Sequence, residues 1–167
     1  MITPEYCRTM AQYNHWQNQS LLSAADGIGE SSRRAQRGAF FGSIWGTFNH
    51  LLWGDTIWMS RFDHGEKPNI GIPGSAEFTK SWEEFRTRRQ EMDDRIVAWA
   101  EALGDGDLFG PLNWFSGAIN AQVERPVALC VTHFFNHQTH HRGQVHAMLT
   151  AAGAKPDDTD LFVMQMS

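Results

Sequence analysis

The chain reads as an all-α protein, a four-helix bundle in one domain over residues 1–167, with a small hairpin or extended segment before the last helix. Two observations predict the helices and their number. Four long segments carry apolar residues at helical spacing, and Gly/Pro-rich stretches separate them. A third predicts the layer: amphipathic helices with little strand between them bury their apolar stripes against one another.

The first helix starts at Thr3-Pro4, an N-cap followed by proline at the first helical position. Tyr6, Met10, Tyr13, Leu21 and Ala24 line one face, and Gly27 and Gly29 end it. The second runs from about Gly42 to Asp63. Ile44, Phe48, Leu51, Asp55, Trp58 and Phe62 recur at steps of three and four, so Asp55 interrupts an otherwise apolar stripe. Gly65, Pro68, Gly71, Pro73 and Gly74 make the next stretch a long loop. The third helix opens on a Ser81/Glu84 capping box. Trp82, Phe85, Met92, Ile96, Trp99 and Leu103 form its stripe with Arg89 in one slot, and Gly104 and Gly106 close it. Leu112–Phe115 and Ala121–Arg125, flanking Ser116-Gly117, favour a hairpin. The fourth helix starts at Pro126 and runs to about Ala152.

Composition narrows the function. Hydrophobic residues make up 41% of the chain and the formal charge is −5. There is no basic block, which argues against nucleic acid as a partner. No apolar run approaches the ~18 residues of a membrane span, and the N-terminus has no signal-peptide pattern. Cys7 and Cys130 stand far apart and outside any C-x-x-C pattern, which fits a reducing cytoplasm.

Five of the eight histidines fall between His133 and His146. With ~100° per residue and His137 at zero, Val127, Phe134, Val145, Met148 and Ala152 occupy an arc of roughly 20–80°. His141 falls near 40°, inside that arc, and His137 at its edge. His133 and His140 lie about 40° and 60° away on the other side, and His146 points to the opposite, solvent face. His137 and His141, one turn apart, can bind one metal ion. On the second helix, His50 has Gly46 and Gly54 four residues before and after it. Those glycines leave room for a neighbouring helix or a ligand, or serve close packing alone. Three histidines leave a fourth position for water or substrate, the open arrangement of catalytic sites.

Asp55 either orients a ligand histidine or bonds a backbone amide at a neighbouring helix end. Gln144 either lines the pocket or solvates its edge. Cys130, about 10 Å along the axis from His137, reads as a small buried hydrophobe. A ferritin-like di-iron site is excluded because no Glu-x-x-His occurs. A facial triad with Asp55 is disfavoured because that residue lies about 140° round the helix from His50.

Asn136-His137-Gln138-Thr139-His140-His141-Arg142-Gly143-Gln144 resembles the N-H-x-x-H-H-R-G-Q signature of the DinB/YfiT-like superfamily. Asn49-His50-Leu51-Leu52-Trp53-Gly54-Asp55 with Trp58, and Tyr13-Asn14-His15-Trp16-Gln17-Asn18, are similar to its other motifs in order and spacing. The resemblance implies the up-down-down-up sense with a long crossover between helices two and three. It implies His50, His137 and His141 as ligands of a divalent metal, nickel or zinc, and a homodimer. It also implies a small-molecule substrate and the transfer of a low-molecular-weight thiol. Metal-dependent hydrolysis and a non-catalytic, stress-associated metal-binding dimer are the alternatives.

Overall fold

The structure, a computed structural model, describes residues 2–164. It is mostly helical, with one small two-stranded antiparallel sheet. The long helices are α1 (Pro4–Asp26), α3 (Ile44–Phe62), α4 (Trp82–Ala102) and α5 (Val127–Ala151). A short α2 (Glu30–Arg34) and three 3-10 turns lie between and after the long helices. The hairpin is β1 (Pro111–Ser116) with β2 (Ala121–Pro126), in register from Pro111 opposite Pro126 to Ser116 opposite Ala121. Its turn spans 117–120, with Asn120 at φ 51, so Ser116 belongs to the strand and not to the turn.

The helix starts follow local chemistry. Thr3 Oγ1 accepts the Tyr6 amide and Pro4 opens α1. Ser81 Oγ accepts the Glu84 amide at the start of α4. The return bond of the expected capping box is displaced by one residue, because the Glu84 carboxylate takes the amide of Lys80.

Each long helix packs against two others: α1 on α4 and α5, α3 on α4 and α5. Paired residues give their senses. Arg8 of α1 reaches Leu103 beyond the end of α4, while Asp26 at the end of α1 takes Trp82 and Arg86 at the start of α4. Phe48 meets Phe85 and Phe62 stacks on Trp99, so α3 and α4 run in the same direction. Across α3 and α5 the order reverses, His50 with His141 and Phe62 with Phe134.

The core between them is not wholly apolar. Asn14, Asn18, Asp55, Arg89, Asp93, Gln138 and Arg142, drawn from all four long helices, are buried. Asp55 accepts Arg89 Nη1 at 2.7 Å and Gln138 Nε2 at 3.0 Å. Asp93 accepts both asparagine amides at 3.0 and 2.8 Å and lies 2.8 Å from Arg89 Nη2. Arg142 donates to Asn14 Oδ1. Two carboxylates and two guanidiniums balance in formal charge, so their mutual attraction offsets part of the desolvation cost of burying them. Burial pushes the Asp93 carboxyl up to about 6 and raises that of Asp55.

This polar core overturns three expectations. The buried face of α1 runs through Cys7, Ala11, Asn14, Asn18, Leu21 and Ala25, not through Tyr6, Met10 and Tyr13. On α5 the buried arc extends from about 20° to about 160°, because Phe135, Gln138 and Arg142 are inside it. Asp55 neither orients a histidine directly nor caps a helix end; it is half of an ion pair. His146 is a further correction: it is half-buried, not on an open face. The segment after α5 folds back along α1, with Thr159, Asp158 and Asp157 bonded to Tyr13, Gln17 and Ser20. Cys7 and Cys130 are buried free thiols, as small apolar groups would be.

Arg89→Ala leaves two buried carboxylates uncompensated. Urea denaturation should show a loss of about 3–5 kcal/mol. A loss under about 1 kcal/mol would mean that the pair adds nothing to stability.

Candidate metal centre

His50 on α3 and His137 and His141 on α5 meet where the two helices cross. One ring nitrogen from each lies within 4.8 Å of the others. Ring centroids are 5.3 Å apart for His50 and His137, 4.8 Å for His50 and His141, and 4.4 Å for His137 and His141. The helical phase read from the sequence therefore selects the rings that meet. His133 and His140 are exposed neighbours, 5.8 Å from His137 and 4.8 Å from His141.

Hydrogen bonds fix which nitrogens face inward. His141 Nδ1 lies 2.8 Å from Gln144 Oε1, an atom that can only accept, so the proton of the neutral ring sits on Nδ1. Its Nε2 then carries a lone pair. His50 Nδ1 lies 2.8 Å from Ser75 Oγ, leaving its Nε2 free, and that atom is 3.3 Å from His137 Nε2. With neither nitrogen protonated, two lone pairs at this distance repel unless a cation lies between them. Tetrahedral ligands 2.0–2.1 Å from a zinc-like ion are separated by about 3.3–3.4 Å, so the observed spacing fits two donors on one metal. His137 Nδ1 is buried without a hydrogen-bond partner among the described residues.

The surroundings keep the rings neutral. Burial, then the neighbouring His141, holds His50 down to about 4. Burial and the adjacent imidazoles hold His137 down to about 3, and burial lowers His141 as well. Neutral imidazole is the metal-binding form.

Both glycines of α3 make room, though neither does so for His50 itself. A Cβ on Gly54 would stand 2.7 Å from His137 Cε1. A Cβ on Gly46 would stand 2.2 Å from the Phe41 carbonyl oxygen. That approach lets Phe41 stack on His50 at 3.7 Å and 17°, and meet His141 edge-on at 5.5 Å. Trp53 lies 6.0 Å from His50 in a near-parallel plane. Its indole donates to the Ile70 carbonyl and so ties down the crossover that carries Ser75.

Gln144 thus holds a histidine instead of solvating the edge. Asp55 acts at one remove, through Gln138 between the two α5 histidines. Ser75 and Phe41 were not found from the sequence, since each sits in a loop with no periodic signal. Gln138 and Arg142 stood inside a singled-out motif, and their burial was the missing clue.

A mostly helical chain with three histidines grouped to take a metal ion is the class that this fold and site define. The chain belongs to the DinB family, whose model matches residues 1–167. No curated protein matches the sequence.

In metal-free protein, the Cε1–H resonances of His50 and His137 should keep their neutral-ring positions from pH 8 down to about 5, since both rings titrate well below an ordinary histidine. Titration of either near 6.5 would contradict their burial. Gly54→Ala should move the His137 ring, seen as a change in its shifts, even though alanine raises helix propensity by about 1 kcal/mol.

Proposed function

We infer that the protein is a metal-dependent enzyme that transfers a low-molecular-weight thiol to an electrophilic small molecule, with His50, His137 and His141 as the ligands of one divalent metal ion, nickel or zinc. The observation that carries this reading is the 3.3 Å separation of two inward nitrogens beside a third whose lone pair is fixed by Gln144. Three neutral ligands leave the charge of a bound metal uncancelled, and that charge lowers the pKa of a thiol or water at the open position.

The chain's own groups prepare that position. Ser75 and Gln144 hold the Nδ1 sides of two rings, which fixes their orientation, and Gln144 also sets the tautomer of His141. Phe41 and Trp53 cover the faces of His50 and limit water there. The polar core braces α5 on both sides of His141, through Gln138 and Arg142.

On the same reading, the helix senses make an up-down-down-up bundle in one domain, and the protein works as a homodimer in the cytoplasm. The homodimer and its location rest on the likeness to the superfamily. Hydrolysis is the second reading. His140, exposed with its ring 4.8 Å from that of His141, favours it as a proton acceptor at the mouth of the site.

Elemental analysis of the purified protein should find close to one nickel or zinc per chain. His50→Ala and His141→Ala should abolish stoichiometric binding, while His146→Ala retains it. Equal loss in all three would refute the ligand assignment. Gln144→Ala should weaken metal affinity by about 10–100-fold. A panel of thiols and electrophiles, run with and without chelator, tests the reaction: chelator-sensitive conjugation supports transfer. Ester cleavage without conjugation supports hydrolysis. A tightly held metal with no turnover on any substrate supports a binding role.

A further inference from the structure

A cleft of about 880 Å³ opens between the C-terminal ends of α3 and α4 and the hairpin, apart from the three histidines. Phe62, Trp99, Trp114 and Phe115 line it. Phe62 and Trp99 stack with centroids 5.3 Å apart, and Phe115 is 58% exposed. Its walls are thus broad, apolar and aromatic, as in sites that take ring-bearing ligands.

Arg61, in the last turn of α3, also lines this cleft. Its guanidinium carbon lies 4.4 Å from the Trp58 ring centre and 5.0 Å from that of Trp114. Those indoles meet edge to face at 5.6 Å and hold the guanidinium in place. Arg8, Arg34, Arg86, Arg88, Arg89 and Arg95 each pair with a carboxylate. Arg61 is half-buried and has no ion-pair partner among the described residues. His64 and Lys67 share the rim. Asp107, also in the lining, is committed to the Gly104 amide at 2.9 Å. The cleft therefore carries cationic character in a chain of formal charge −5.

A guanidinium stacked on aromatic rings keeps its N–H edge free, and that edge matches a carboxylate with two parallel bonds. We propose that this cleft binds a small aromatic carboxylate, its ring against Phe62, Trp99 and Trp114 and its carboxylate on the open edge of Arg61. One anchored cation among four aromatic rings suits a single anionic group on an apolar body better than a polyanion.

The test uses the full chain as purified, with 2-naphthoate as probe and neutral 2-naphthamide as its isostere. Calorimetry and tryptophan fluorescence read binding. Naphthoate should bind one per chain, about tenfold or more tighter than the amide, the difference expected for one charge-assisted pair. Arg61→Gln should lower naphthoate affinity by about tenfold or more and leave the amide unchanged, with circular dichroism confirming the fold. Arg61→Lys should fall between them. His141→Ala, which does not touch this cleft, should bind naphthoate as the parent does. Equal binding of the two probes by the parent, or no binding of either, overturns the proposal whatever the variants do. Loss of naphthoate in His141→Ala with retention in Arg61→Gln overturns it by placing the anion at the histidines.

Discussion

The buried pairing of Asp55 with Arg89 is the constraint on which the rest of the structure depends. It joins α3 to α4, and each end passes the connection on: Asp55 to Gln138 of α5, Arg89 to Asp93 and thence to Asn14 and Asn18 of α1. Apolar packing alone tolerates small slides and rotations between helices. A hydrogen-bonded ion pair does not, because a misaligned buried charge costs several kcal/mol. One set of polar contacts thus fixes the rotation of four helices together.

That fixing matters because the histidine group lies one residue away from the network. In Asn136–Gln144 the roles alternate. His137 and His141 face the shared point, Gln138 and Arg142 face the polar core, and Gln144 returns to hold His141. A helix puts residues four apart on one side, so two interleaved i, i+4 pairs present two faces with different duties. Rotation of α5 would move both sets at once. The polar core and the histidine positions are therefore one mechanical unit, although no carboxylate among the described residues hydrogen-bonds any of the three rings.

Aromatic residues divide between packing and presentation. Phe48, Phe85, Phe134 and Phe135 fill the interior. Phe41 and Trp53 lie against His50, and Trp58 and Trp114 hold Arg61. The cleft beside the hairpin is built from the end of α3 far from His50 and from the C-terminal end of α4, which carries none of the three histidines. The short sheet supplies Trp114 and Phe115 to a wall that the helices leave open.

The local pattern of residues was enough to place the long helices, the N-caps Thr3 and Ser81, the hairpin and the inward face of His137 and His141, because each depends on neighbours within a few positions. His137 and His141 were legible because spacing sets helical phase, and His50 because two glycines marked a close approach. The polar face of α1 and the breadth of the buried arc on α5 were not, since Asn14, Asn18, Gln138 and Arg142 look like solvent-facing residues until their partners are known. Ser75, Phe41 and the segment bonded along α1 belong to the tertiary structure alone. Each acts through a contact with a chain segment distant in sequence, and only the packed fold brings donor and acceptor to bonding distance.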